Sequence, residues 1–565
     1  MIRRRILYSS LLCATALAGT TLTQPAFAQS AAQINAIEQQ IKALQSQLGQ
    51  LKAQVSKRDH ELKAAQQQAR EAQQRAQAAQ EQAASVQAAQ QQQAAQIAAV
   101  APPAPEQPPL PKGSFRVGGG LTVTLGGFVA AEGAYRTRNE GVTINSTFGG
   151  IPLRNSPNYY VPETRLTAQQ SRLSMLVQGD LSPTQKVTGY VETDFLSAGS
   201  SSNSTESNSY TLRFRQFWGS YDNTDYGLHF LGGQAWSLAT LYRVGLVPRQ
   251  ENVPLTIDAQ YVVGFNWARQ AQFRIAKDFD DHKVWLGLSA ESPQTTFGSS
   301  AGPNCLTGAQ ATTPSGITPQ GTLNYTSCGG SNENSVYAYS DNIAPDIIAK
   351  LAMDPGYGHY EVYGLLRFLG GRVSYASTGT GKNYWTTGQG IGGGMILPVV
   401  AKKLDFQLSG LVGQGVGRYA SGLLPDATFS QQGQIAPLTE YSILGGLVAH
   451  PMPSLDVYAY GGAEGVMNKP YGTNGGYGNP NFALGGCNVE LGSCSANTSG
   501  LLEGTVGAWW RMIRSDYGTL QVGAQYEYIN RNTFQGVFSS TNRNTLSPST
   551  NENMFLVSFR YLPFQ

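Results

Sequence analysis

From Ile34 onward the apolar residues return at alternating steps of three and four: Ile34, Ile37, Ile41, Leu44, Leu48, Leu51 and Val55. The same register continues through Leu62, Ala65, Ala69, Ala72, Ala76, Ala79, Ala83 and Val86, and it breaks once, at Arg58. Between these positions stand mostly Gln, Lys, Glu and Ala, which are good helix formers. A heptad frame held this long predicts a coiled coil over residues 29–100. Isoleucine at both core positions of the first heptad favours three strands over two. The alanine-cored stretch 66–100 has a second reading as a disordered Gln/Ala-rich spacer. Six prolines between Pro102 and Pro111 then stop the helix and predict a semi-rigid linker over 101–113.

Beyond Lys112 the period changes to two. Leu121, Val123 and Leu125 alternate with Thr122 and Thr124. Leu404, Phe406 and Leu408 alternate with Asp405, Gln407 and Ser409, and Leu455, Val457 and Ala459 alternate with Asp456, Tyr458 and Tyr460. Leu520, Val522, Ala524, Tyr526 and Tyr528 alternate with Gln521, Gly523, Gln525 and Glu527. One apolar face opposite one polar face is what a lipid-facing, water-lined wall requires. Connections alternate too. Short turns such as 354–358 and 514–518 separate close strand pairs, whereas long polar insertions occupy 293–335 and 465–500. The final run sets Phe555, Val557, Phe559 and Tyr561 against Leu556, Ser558 and Arg560, with Phe564 one position short of the end. The expected fold over 114–565 is therefore an all-β transmembrane barrel of about sixteen to eighteen antiparallel strands. The competing reading of the same alternation is a soluble β-sandwich.

Composition sharpens the choice. Charged residues make up 13% of the chain, against roughly 25% in soluble domains. After the N-terminal leader no uncharged apolar run approaches the roughly 18 residues of a membrane helix. That leader, 1–28, shows Arg3, Arg4 and Arg5, an apolar stretch from Ile6 to Gly19, and Ala26-Phe27-Ala28 as a cleavage pattern. Leu12 before Cys13 is too large for a lipidation motif. The net charge of +3 equals those three arginines, so nothing global points to nucleic acid.

Four cysteines remain, in two local pairs within the long insertions. An oxidising compartment predicts loop disulfides Cys305–Cys328 and Cys487–Cys494. The alternative, a metal site, lacks neighbouring histidines and a zinc spacing. The five histidines show no ligand spacing, and there is neither a nucleophile elbow nor a P-loop. The expectation is no enzyme, no cofactor and no metal, with a Ser–His hydrolase on the barrel wall as the remaining enzymatic reading.

Strand parity nominates residues facing the lumen. Arg172 is in phase with Ser174 and Gln178, Glu192 and Asp194 oppose Val191 and Phe195, and Arg213 and Arg215 oppose Leu212 and Phe214. Arg367 shares the phase of Glu361. Arg269 and Arg274 differ in parity, so both reach the lumen only if a bulge or loop intervenes. With Arg165 these form the candidate pore-lining set. One reading is an arginine ladder for carboxylates, with Glu192 and Asp194 opposite it to create a transverse field. The other is a wall of charges that brace one another.

Short stretches also carry a resemblance: Gln170-Ser171-Arg172-Leu173, Val191-Glu192-Thr193-Asp194-Phe195, Leu212-Arg213-Phe214-Arg215, Gly233-Gln234-Ala235-Trp236-Ser237, Arg269-Gln270-Ala271-Gln272-Phe273-Arg274, Ala290-Glu291-Ser292-Pro293 and Gly415-Val416-Gly417-Arg418-Tyr419. In this order the chain resembles the DcaP-like family of outer-membrane porins. The resemblance implies a sixteen-stranded homotrimeric barrel, an N-terminal periplasmic coiled coil, and uptake of small anionic solutes such as dicarboxylates. The expected setting is the outer membrane of a Gram-negative bacterium, with lipid and lipopolysaccharide around the barrel. A structural anchor whose stalk reaches peptidoglycan, and a surface-loop adhesin, are the alternatives.

Overall fold

In a closed barrel every backbone N–H and C=O of the wall finds a neighbouring strand, which removes the cost of bare peptide groups in lipid. The computed structural model of the protein describes residues 110–565, apart from 197–210, 299–310, 313–320, 329–337 and 474, together with short pieces between 49 and 88. The predicted leader, most of the linker and Cys305 lie outside the described residues. The short pieces, such as 56–59 and 73–75, are helical and exposed and belong to a separate unit, Met1–Pro108.

Within the second unit, Pro109–Gln565, sixteen strands of the described residues form one closed antiparallel wall. In chain order they are β1 (Leu121–Arg136), β2 (Arg172–Ser182), β3 (Gln185–Asp194), β4 (Arg213–Asn223), β5 (Leu228–Trp236), β6 (Arg269–Phe279), β7 (Val284–Glu291) and β8 (Asp346–Met353). They continue as β9 (His359–Tyr375), β10 (Thr380–Val400), β11 (Leu404–Gln414), β12 (Thr439–Met452), β13 (Leu455–Val466), β14 (Thr498–Ser515), β15 (Gly518–Thr533) and β16 (Ser549–Leu562). Each strand pairs with its chain neighbours, and β1 closes on β16 from Val129↔Tyr561 to Arg136↔Met554. A short segment, Glu163–Thr167, extends the β2 ladder along β1.

The alternation read from the sequence is realised in space. On β16, Phe555, Val557 and Phe559 are exposed on the outside, while Leu556 and Ser558 point inward and are buried. Exposed Leu, Val, Ile and Phe on nearly every strand make an outer apolar surface that only a hydrocarbon solvent would leave unpenalised. Turns of two to five residues join β2–β3, β4–β5, β6–β7, β8–β9, β10–β11, β12–β13 and β14–β15 at one end. That end also holds both limits of the unit, because Lys112 Nζ donates to the carbonyls of Ser515 and Gln565. At the other end the connections are long, except for the β9–β10 hairpin. One of them carries the disulfide Cys487–Cys494, as expected from the pair's spacing.

The interior is not an empty tube. The β5–β6 connection, 237–268, folds into the lumen and buries Leu238, Tyr242, Leu246, Ile257, Val263 and Phe265. It packs against inward side chains of β7 to β15, including Ile348, Tyr363, Leu365, Leu411, Leu444, Tyr458, Leu501 and Ile529. The side of the barrel from β7 to β15 is thereby filled with apolar packing, and the polar space is left along β1 to β5.

Candidate functional site: an arginine-lined constriction

Wall carboxylates hold the inserted connection. Leu238 N donates to Glu291, Tyr242 N to Glu361 and Gly245 N to Asp354. Across the lumen, Val263 N donates to Glu503 and Gly264 N to Glu464, each at 2.7 Å. Gly264 has φ +88, and any Cβ there would strike the carbonyl of Ile443, so the chain lies directly on the wall. A buried carboxylate that accepts two or three backbone N–H groups keeps its hydrogen bonds and orders the loop in one step. These acids therefore serve as fasteners.

Among the described residues the interior keeps open spaces at several levels. At the long-connection end lies a vestibule of about 1510 Å³. At the turn end is a polar cavity of about 610 Å³ lined by residues of β2 to β5, including Gln178, Lys186, Asp222 and His229. Between them is a narrow cavity of about 260 Å³. Its walls are Phe128 of β1, Arg172 of β2, Tyr190 and Glu192 of β3, Arg215 and Gln216 of β4, Trp236 of β5 and Arg560 of β16, faced by Arg249, Glu251 and Gln260 of the inserted connection.

Strand parity placed Arg172, Glu192, Asp194, Arg213 and Arg215 inward, and all five are inward. A bulge refines the picture: the register shifts between Glu192↔Gln216 and Thr193↔Phe214, so Arg215 and Gln216 both turn into the lumen. The expected transverse field is corrected by the contacts, because acids and arginines meet side by side. Arg213 Nε donates to Asp194 Oδ1 at 2.7 Å, Arg215 Nε to Glu192 Oε1 at 2.7 Å, and Arg215 Nη1 to Asp194 Oδ2 at 2.7 Å. Arg172 lies 3.6 Å from Glu192. Neighbouring strands thus neutralise part of the cluster laterally, and the carboxylate that faces these pairs is Glu251 of the inserted connection.

The excess charge comes from elsewhere. Four arginines and two glutamates line the narrow cavity. Arg560 donates to Glu132 and to the carbonyl of Ile257 and lies over the rings of Phe128 and Trp509. Arg249 lies over Tyr190 and adopts φ 71, a conformation that costs a non-glycine residue of order 1 kcal/mol or more. Arg269 resolves its parity conflict by being the first residue of β6. There it lies over Trp236 and Trp267, at 5.0 and 5.2 Å, and its buried Nη1 has no hydrogen-bond partner among the described atoms.

Three predicted residues belong elsewhere. Arg274 is inward but sealed beneath the inserted connection, donating to Tyr242 Oη and Gln272 Oε1. Arg367 is fully buried between Asp346 and Asp426 and fastens the β11–β12 connection through the carbonyl of Gly415. Arg165 pairs with Glu163 at the long-connection end. Arg249 and Glu251 lie on an aperiodic connection where parity has no meaning. Arg560 was in phase with Ser558 and could have been read. Among the described residues no group of His, Cys, Asp and Glu is arranged to hold a metal. The histidines near the turns are clamped by acids, as His229 is between Asp222 and Asp278 at 2.8 Å each.

These features define a closed β-barrel with an apolar outer surface, whose half-filled interior keeps a small off-centre cavity lined by four arginines and two glutamates. No protein-family model and no curated protein matches the chain. Among solved structures it is similar to the outer membrane channel DcaP of Acinetobacter baumannii, with 17% identity over 80% of this chain and 100% of that one and a TM-score of 0.51. That likeness shows the shared barrel fold. The anion-selective porin of Comamonas acidovorans (11% identity, 78% and 99% coverage, TM-score 0.41) and OprB of Pseudomonas putida (9%, 78% and 94%, TM-score 0.39) are more distant.

Proposed function

We propose that the protein is an outer-membrane porin through which small anionic, dicarboxylate-like solutes diffuse passively. The carrying observation is the narrow cavity itself: four arginines and two glutamates around about 260 Å³, with larger spaces towards either end of the barrel. A guanidinium keeps its charge and offers bidentate contacts to carboxylate, so it replaces part of an anion's hydration shell. Lateral pairing of Arg213 and Arg215 holds their planes in place while leaving a positive surplus. The connection-rich end faces outward on this reading and the turn end faces the periplasm. The heptad segment forms a trimeric periplasmic coil that brings three barrels together and reaches towards peptidoglycan.

Planar-bilayer reversal potentials in a potassium chloride gradient test the reading. The wild-type chain should prefer chloride. Arg172→Ala should lower that preference several-fold, and Arg215→Ala should lower it further, because Glu192 and Asp194 then each lose an ion-pair partner. A cation-selective wild type, or selectivity unmoved by both changes, would refute it.

A further inference from the structure

Two observations outside the charged cluster speak to the body of the solute. Among the described residues, the wall of the outer vestibule is almost free of charge. Hydroxyls and amides of Asn145, Thr147, Thr428, Asn497 and Thr498 share its wall with the half-buried rings of Tyr261, Phe297 and Phe482, and Arg543, bonded to Asn481, is its one charged lining residue among those described.

The second observation is a run of rings leading inward. Tyr261 and Trp267 are 6.4 Å apart between centroids, and Trp267 and Trp236 are 5.8 Å apart. Tyr261 faces the vestibule, its neighbour Gln260 faces the constriction, and Trp236 lines the constriction with Phe128 and Tyr190. Arg269 lies over both tryptophans with its Nη1 unbonded.

A chloride ion or a short dicarboxylate has no use for such rings. A sugar ring does. It presents a C–H face that packs on an aromatic ring and an edge of hydroxyls that exchange hydrogen bonds with Ser, Thr and Asn, and neither contact requires charge. A carboxylate on that ring would be met by Arg269 and then Arg172. We infer that the passage is built for a hydroxylated carboxylate of the sugar-acid class. Its ring is taken up in the vestibule and handed along Tyr261, Trp267 and Trp236 to the arginines. This deepens the porin reading and rests on it.

The test uses the full chain in planar bilayers, recording chloride current while glucuronate, succinate, benzoate or methyl glucoside is added from the long-connection side. Glucuronate should interrupt the current at roughly tenfold lower concentration than succinate or benzoate. Methyl glucoside should also interrupt it. Tyr261→Ala and Phe297→Ala should weaken interruption by glucuronate and glucoside about five- to tenfold, the scale of a lost ring contact. Succinate interruption and chloride selectivity should stay unchanged. Tyr261→Leu and Phe482→Leu, which keep apolar bulk, serve where an alanine variant fails to insert. Equal action of glucuronate, succinate and benzoate, or ring variants that leave glucuronate untouched, would overturn the inference. Failure of the porin reading looks different: Arg172→Ala leaves selectivity unchanged, while glucoside, which needs no arginine, still reports the vestibule.

Discussion

Glu251 stands within the narrow cavity on the inserted connection, with its Oε1 buried and unpartnered. Burial pushes its carboxyl up to about 7. Arg274 and Glu192 act on it from the wall, and Arg172, Arg215, Arg249 and Arg560 share its cavity. The sign follows directly. Below about pH 7 the group is neutral and adds no charge to the cavity. Above it a further negative charge joins the arginines. Chloride preference should therefore fall as pH rises from 6 to 8, and Glu251→Gln should flatten that dependence at the high, low-pH value. Reversal potentials across this range decide the matter, and a wild-type preference that rises with pH would contradict it. At this scale the sequence was legible wherever a strand enforced a two-residue period. Arg172, Glu192, Asp194, Arg213 and Arg215 could be placed because each stands opposite an apolar neighbour. Arg249 and Glu251 could not, because their direction is set by a fold-back that no local pattern encodes. Arg367 was rightly inward yet fastens a connection, since parity reports a face and says nothing of what covers it.

The connection 237–268 is the element that decides where the passage runs. What docks it is a set of acids spaced along distant parts of the wall. Glu464 and Glu503 hold its far end, with Glu464 also accepting from Gly422 N. Each such hydrogen bond contributes roughly 0.5–1.5 kcal/mol net. Replacing both glutamates by Gln should thus loosen this end by a few kcal/mol without opening the wall. Hydrogen exchange is the suitable readout: amides of Val263 and Gly264 should exchange at least tenfold faster in the double variant, while β15 and β16 amides keep their protection. Unchanged exchange at Val263 and Gly264 would show that apolar packing alone holds the connection. The alternation of short turns and long connections was visible in the sequence. The inward course of one of them was not, because docking depends on pairs separated by 53 to 240 positions, such as Gly264 with Glu464.

For the whole molecule, an apolar outer surface and a half-filled interior give two different solvents to one wall. A charge on the outer surface should be costly. Val557→Arg, on the exposed outward face of β16, should destabilise the barrel by roughly 2–4 kcal/mol if it lies near the mid-plane, measured by denaturant unfolding in lipid vesicles. A loss below 0.5 kcal/mol would argue that this face meets water. The strand number was bracketed from length, and sixteen fell within the bracket, since barrel size follows from how many strand-and-turn units the chain supplies. The eccentric passage is the claim on which the account depends. Thiol accessibility tests it most directly, with single cysteines placed at Gln178 and Gln216 on the open side and at Ile348 and Leu365 on the filled side. A charged methanethiosulfonate reagent should reach the first two and cut single-channel conductance, and it should leave the second two unmodified. Rapid modification at Ile348 or Leu365, with Gln178 and Gln216 protected, would place the passage on the wrong side of the barrel.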